Sequence, residues 1–284
     1  MRQLRFKQVD VFTRRPFLGN PVAVVLEAEG LGGEDMQRIA AWTNLSETTF
    51  VLPAKDASAD YRLRIFTPRA ELPFAGHPTI GSAHAVLEAG RVKPKAGRFR
   101  QECGAGLIDL SVEGDTIWLE APASTSTPPA AADLEVLEKI LKAGFKPTPL
   151  VLNVGPRWLV AELADAQAVG ALAPDMVLLT SLSNRLSIGG VTVYGKSSDG
   201  EAAIHVRSFA PAHGIPEDPV CGSGNISVAA YLRANAGLAQ VGSRYVARQG
   251  MQLGRDGRVS VKVEGERILL GGSAVTCVEG TLRV

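Results

Sequence analysis

The chain carries one pattern twice, and this repetition limits the folds open to it. In the first copy, Leu63-Arg64-Ile65-Phe66 leads into Thr67-Pro68, then to Ala75-Gly76-His77-Pro78-Thr79-Ile80-Gly81 and an apolar run ending at Leu87. In the second, Arg207-Ser208-Phe209-Ala210-Pro211 leads to Cys221-Gly222-Ser223-Gly224-Asn225-Ile226-Ser227 and a run ending at Leu232. Each copy reads as strand, loop, small-residue turn, helix. A glycine turn that opens a helix leaves backbone N–H groups pointing outward, and the helix dipole makes that place attractive to anions. Two such turns in related halves predict a pair of helix N-termini facing one small anionic ligand.

A chain of 284 residues is long enough for one large domain or two of ordinary size, and the repeat favours two. Its 45% hydrophobic and 21% charged residues are the composition of a globular protein with a full core. With a formal net charge of +1, no basic tract and few aromatics, binding to nucleic acid or a membrane surface has no electrostatic support. Met1 to Lys7 lacks a signal-peptide core, and no apolar stretch approaches the roughly 20 residues of a membrane span. Cys103, Cys221 and Cys277 are sparse and unpaired in spacing, which disfavours a disulfide framework and a thiolate metal site and makes the cytoplasm the expected compartment.

Leu4 to Phe12 alternates as a first strand, with Arg5 and Lys7 on its polar side. A second strand follows Asn20-Pro21, a helix spans about Glu34 to Trp42, and strands fit Thr48 to Leu52 and Tyr61 to Phe66. After the first glycine turn and its helix come strands at Phe99 to Cys103, Leu107 to Val112 and Thr116 to Leu119. Ala121 to Ala132 has linker composition. The second half opens with a helix over Leu134 to Lys142, then strands near Leu150 to Asn153, Trp158 to Glu162, Val177 to Thr180, Val191 to Tyr194 and Ala203 to Phe209. The second glycine turn and its helix come next, followed by further strands to the end. Strands outnumber helices, and each half holds one long central helix. The expected class is α+β: two domains of similar build, each a curved sheet around one buried helix. The first spans 1–120 and is completed by 275–284; the second spans 121–274.

Glu47, in Asn44-Leu45-Ser46-Glu47-Thr48-Thr49-Phe50, stands between a helix end and an apolar strand. That is a frequent place for an acid/base group, and equally for a solvated glutamate opening a strand. In Gly76-His77-Pro78 the proline holds His77 extended at a helix mouth, either to touch a ligand or to cap local backbone. His84 lies seven residues on, about 10 Å along a helix, so the two cannot share a metal, and no cysteine or carboxylate cluster supports a metal centre. Asp218 sits in a loop stiffened by Pro216 and Pro219, which suits a held carboxylate or a turn aspartate. Cys221 at a helix N-terminus is where a thiol pKa is lowered, although a small packing thiol fits as well. Ser223 either donates to an anion or caps its helix. The chain has no Gly-Lys-Ser/Thr phosphate loop and no Gly-x-Ser-x-Gly elbow, and Gly222 to Ser227 ends in serine where a dinucleotide fingerprint needs glycine.

Taken together, Gly19-Asn20-Pro21-Val22-Ala23-Val24, Asn44 to Phe50, Phe74-Ala75-Gly76-His77-Pro78-Thr79 and Glu217-Asp218-Pro219-Val220-Cys221-Gly222-Ser223-Gly224 resemble the PhzF-type phenazine-biosynthesis isomerase family in order and spacing across nearly the whole chain. The resemblance implies a diaminopimelate epimerase-like fold of two pseudo-symmetric halves, each a barrel-like sheet around a central helix, with the active site between them. It also implies catalysis without cofactor or metal, a small carboxylated substrate and a homodimer. By resemblance Glu47 is the acid/base that moves a proton between carbons. His77, Asp218 and Ser223 contact or orient the substrate, Asn20 and Ser46 approach it, and the turns at Gly76 and Gly222 bind its carboxylate. Epimerases of this fold use one cysteine at each turn; here the first turn has Ala75 and only the second has Cys221. Alanine transfers no proton, so a single-glutamate isomerase is preferred over a two-thiol epimerase. Cys221 stands where the family more usually has threonine, which leaves a Glu47/Cys221 two-base epimerase or racemase as the alternative. A non-catalytic member that binds a metabolite or protein is the third reading.

Overall fold

The computed structural model describes residues 2–284 and divides into two compact units, Met1–Glu120 with Gly271–Val284, and Ala121–Leu270. It is a mixed α/β, sheet-dominated fold. Unit 1 runs β1 (Gln3–Val11), β2 (Asn20–Val25), α1 (Gly33–Thr43), β3 (Thr48–Leu52), β4 (Tyr61–Phe66), β5 (Glu71–Leu72), α2 (Gly76–Glu88), β6 (Arg98–Cys103), β7 (Gly106–Glu113) and β8 (Thr116–Glu120). Unit 2 begins with β9 (Thr125–Thr127), α3 (Ala131–Leu141), β10 (Leu150–Asn153), β11 (Arg157–Glu162), α4 (Ala166–Ala171) and α5 (Met176–Leu186). It continues through β12 (Gly190–Lys196), β13 (Ile204–Ala210), β14 (Ile215–Asp218), α6 (Gly222–Ala234), α7 (Leu238–Val241), β15 (Arg244–Gln249) and β16 (Gly257–Glu264). The chain leaves unit 2 along β17 (Arg267–Gly272) and ends with β18 (Ala274–Arg283) in unit 1.

In unit 1, β1 lies between β2 and β18, antiparallel to both. The parallel pair β2/β3 is joined through α1, β3 and β4 are antiparallel, and β4 pairs in parallel with β6, which continues into the β6–β7–β8 meander. In unit 2, β10/β11 are antiparallel, β11/β12 parallel, β12/β13 antiparallel, β13/β15 parallel and β15/β16 antiparallel. Each parallel pair needs a crossover of more than a hairpin turn, and the helices supply it.

Both glycine-opened helices have 13 residues and are buried on nearly every face. A surface helix keeps a polar stripe; one apolar or small all round belongs in a core. α2 packs on β1, β2, β3, β4, β8 and β18, and α6 on β10, β11, β12 and β16. Small residues permit the approach. A Cβ on Gly81 would sit 2.4 Å from Val22 Cγ1 and 2.8 Å from Val11 Cγ2. Gly81→Ala is therefore expected to cost about 1–3 kcal/mol through overpacking. The check is a lower urea midpoint at unchanged slope.

Two local expectations are corrected. The segment Val177 to Thr180 is not a strand but the start of α5, because Asp175 accepts from the N–H groups of Val177 and Leu178 and so caps a helix there. Lys7 is not on a solvated side of β1: it is buried, with Nζ 2.5 Å from Glu88 Oε2 and 3.3 Å from Glu279 Oε1. The partner carboxylates come from α2 and from β18, which strand alternation alone does not reveal. The chain re-enters unit 1 at Gly271 and Gly272, where side chains would collide with the rings of Trp118 and Phe12.

Candidate active site

Glu47 is placed by the end of α1 and the start of β3. Asn44 caps α1 in the left-handed region (φ 55°), which turns the chain sharply, and Thr48 then pairs with Ala23 of β2. The backbone is pinned at that point, since Ala23 N–H donates to the Glu47 carbonyl (3.3 Å) and the Thr43 and Thr48 hydroxyls meet at 2.7 Å. His77 is the second residue of α2, whose position over β3 is fixed by a buried 2.8 Å hydrogen bond between Thr49 and Ser82.

These two supports bring Glu47 Oε2 within 3.3 Å of His77 Nε2, with the side chains only 14% and 8% exposed. Burial disfavours the carboxylate and pushes Glu47 up to about 7, against the opposing hydrogen bond from Ser46. A carboxyl poised near neutral pH is suited both to take and to return a proton. Asn20, buried at the start of β2, lies at the same end of the parallel β2/β3 pair as Glu47. Gly76 opens α2, and Ala75 before it provides no side-chain cap for the first-turn N–H groups. Unit 1 thus gathers Asn20, Ser46, Glu47, Gly76 and His77 around neighbouring strand and helix ends.

The remaining predicted residues lie in unit 2, around the start of α6. Asp218 ends β14, opposite Ser208 of β13, and its Oδ1 accepts from Val220 N–H at 3.0 Å. Cys221 is the N-cap of α6; its Sγ accepts from Gly224 N–H at 3.3 Å and lies 3.6 Å from Ser223 Oγ. Ser223 Oγ accepts from Trp158 Nε1 at 3.0 Å. Gly224 must be glycine, because a Cβ there would meet Ser208 Oγ at 2.5 Å. Of the two readings open for Cys221, the packed thiol is favoured: burial first, and then the charge of Asp218, push the thiol up. A side chain 3% exposed forfeits more by desolvation than a helix terminus returns.

Sequence reading passed over Trp158 and Gln249. Trp158 meets Ser223 through tertiary contact, for which the sequence has no local sign. Gln249 has one: in β15 the inward positions are Tyr245, Ala247 and then a fully buried glutamine, a polar group where the strand period calls for an apolar one. Among the described residues, no group of three His, Cys, Asp or Glu side chains is placed to hold a metal ion.

The model of the PhzC-PhzF family, described as phenazine biosynthesis-like protein, matches residues 9–280. The Schizosaccharomyces pombe protein called Antisense-enhancing sequence 1 is 39% identical over 295 residues, covering 99% of each chain. The trans-2,3-dihydro-3-hydroxyanthranilate isomerase of Pseudomonas chlororaphis is 32% identical over 283 residues, covering 96% of this chain and 97% of that one. The crystal structure of the Bacillus anthracis PhzF-family phenazine biosynthesis protein superposes with a TM-score of 0.87 at 26% identity, over the whole of both chains. The chain belongs to the phenazine biosynthesis-like, or PhzC-PhzF, family. Within that family it is an isomerase.

Proposed function

We propose that the protein moves a proton between carbons of a small carboxylated substrate, without cofactor or metal, with Glu47 as the single acid and base. The observation that carries this reading is the largely buried Glu47, its carboxyl held near neutrality 3.3 Å from His77. A carbon-bound proton leaves only where the developing charge meets fixed donors away from water. Each glycine turn, at Gly76 in unit 1 and at Gly222 in unit 2, would offer N–H groups to a carboxylate, with Asn20, Ser46 and His77 beside Glu47 and with Asp218 and Ser223 beside the second turn. The run β1-β2-α1-β3-β4-β5-α2-β6-β7-β8 has a counterpart in unit 2, which adds β9, α3, α4 and α7; this shared run, with a 13-residue glycine-opened helix in each unit, supports two pseudo-symmetric copies of one plan. A carboxylated cyclohexadiene such as the one named for the Pseudomonas chlororaphis relative has the required chemistry. A homodimer accompanies this reading, to be checked by light scattering.

The test is transfer of solvent deuterium into a panel of small carboxylic acids, trans-2,3-dihydro-3-hydroxyanthranilate included. Deuterium gain with double-bond migration is the expected result; gain with inversion of a stereocentre would instead favour the two-base epimerase. The upward shift of the Cys221 thiol weighs against the latter. If Glu47→Gln turns over the same substrate at the wild-type rate, the single-glutamate mechanism is lost and a binding role gains.

The pH profile follows from Glu47. A general base works as the carboxylate, so kcat/KM is expected to fall about tenfold per pH unit below about 7 and to level off above it. A profile flat down to pH 5 would contradict the placement of the base.

A further inference from the structure

The second glycine turn is held from β15 by one side chain. The carboxamide of Gln249, fully buried, receives Cys221 N–H at 3.2 Å and Asn225 Nδ2 at 2.9 Å on its oxygen, and its Nε2 donates to the Asp218 carbonyl at 3.0 Å. Asn225 closes the ring by donating to the Cys221 carbonyl at 2.9 Å. One amide thus ties the residue before the turn, the cap of α6 and the fourth residue of α6. The backbone around it leaves no slack. A Cβ on Gly250 would lie 2.5 Å from the Pro219 carbonyl oxygen, and one on Gly257 would lie 2.3 Å from Val220 Cγ2.

Unit 1 has a buried glutamine at the corresponding strand, but it does something else. Gln101 of β6 donates to Thr79 Oγ1 at 3.2 Å and accepts from Tyr61 at 2.9 Å, both of them side chains. Only Gln249 grips the backbone of its turn through both ends of the amide.

We propose that Gln249 is a positioning residue: its carboxamide fixes the spacing between Asp218 and the first turn of α6, and so sets how tightly that turn holds a substrate carboxylate. The affinity part rests on the function proposed above; the hold on the turn stands without it.

The experiment compares Gln249→Leu, Gln249→Glu and Gln101→Leu in the full chain. Each is read by peptide-resolved alkylation of Cys221 with N-ethylmaleimide, referenced to Cys277 in the same sample because Gln101 interacts with Cys103, and by calorimetric binding of 3-hydroxyanthranilate, a stable aromatic ring carboxylate. In Gln249→Leu, Cys221 alkylation is expected to rise, and probe affinity to fall, about tenfold or more. Gln101→Leu, which removes an equally buried amide, should leave the Cys221 ratio at its wild-type value.

Gln249→Glu separates positioning from general packing and keeps the side-chain volume should the leucine variant aggregate. Its buried acid is protonated at pH 5.5, where the O–H can replace the lost N–H donor to Asp218; at pH 8 the carboxylate cannot. Near-wild-type labelling and binding at pH 5.5, both lost at pH 8 relative to wild type at the same pH, uphold the proposal. An unchanged Cys221 ratio in Gln249→Leu, an equal rise in Gln101→Leu, or no pH reversal in Gln249→Glu overturns it. Should the wild type fail to bind the probe, the carboxylate reading loses support, while the labelling ratio and its pH reversal still decide whether Gln249 holds the turn.

Discussion

Glu47→Gln is expected to lower kcat by a factor of about 10² to 10⁴ and, at pH 8, to make the protein more stable than wild type. The second effect comes from the same desolvation that suits the carboxyl to proton transfer. Burial raises Glu47 from 4.5 to about 7 in the folded protein. The favourable contribution of the neutral carboxyl is complete below the unfolded value and is lost as pH rises through about 7. Above that, the folded protein holds a carboxylate that water would solvate better. At about 1.4 kcal/mol per pKa unit, removing that charge is worth on the order of 3 kcal/mol at pH 8 and close to nothing at pH 4. Urea melts of both proteins at the two pH values are the check. Equal stability at pH 8 would mean that the folded protein does not penalise the Glu47 charge, and the proposed base would lose its physical origin.

Arg207→Met is expected to be the most damaging single change away from Glu47, at about 3–5 kcal/mol of stability. Arg207 and Glu217 are each 7% exposed and meet through two parallel hydrogen bonds of 2.8 Å. Nη1 of Arg207 also donates to the carbonyls of Val169 (3.1 Å) and Leu172 (2.8 Å), at the end of α4. Methionine fills the space but leaves a buried carboxylate and two carbonyls without their donor. Arg207→Lys should recover little, since an ammonium cannot reproduce the planar fork. The double variant Arg207→Met/Glu217→Met should recover more than either single change, because it removes the stranded charge. Glu217 adjoins Asp218, so this pair also fixes the approach to the second glycine turn. If Arg207→Met costs under about 1 kcal/mol, the buried-pair argument fails.

The parts of this protein that can be read from sequence are those with a local cause. Gly76 and Gly222 announce their helices because a small-residue turn followed by a long apolar run has few other solutions, and those helices span Gly76–Glu88 and Gly222–Ala234. The place of Glu47 follows from a helix end meeting an apolar strand. What escapes is decided by contact between distant segments. The run from Val177 looks β-branched enough for a strand, yet one capping aspartate two residues earlier makes it helical. Lys7 belongs to a polar alternation until Glu88 and Glu279 arrive to bury it. For Cys221, the sequence leaves a helix-end thiol and a packed thiol open, and the depth of burial, a tertiary fact, favours the second. Gln249 lies between these cases: its position breaks the inward apolar pattern, but which backbone groups it serves is a tertiary fact.

The pairing of β18 with β1 along almost their whole length has a consequence for biosynthesis. Unit 2 is continuous from Ala121 to Leu270, whereas unit 1 needs a strand that leaves the ribosome after all of unit 2. Domains usually mature in the order in which they are translated. Here the nascent N-terminal segment stays without its last strand, the outer edge of β1 open, until the final residues have been made. A chain truncated after Leu270 and released from the ribosome should accordingly resist protease in the 121–270 region and be cut readily within the first 120 residues.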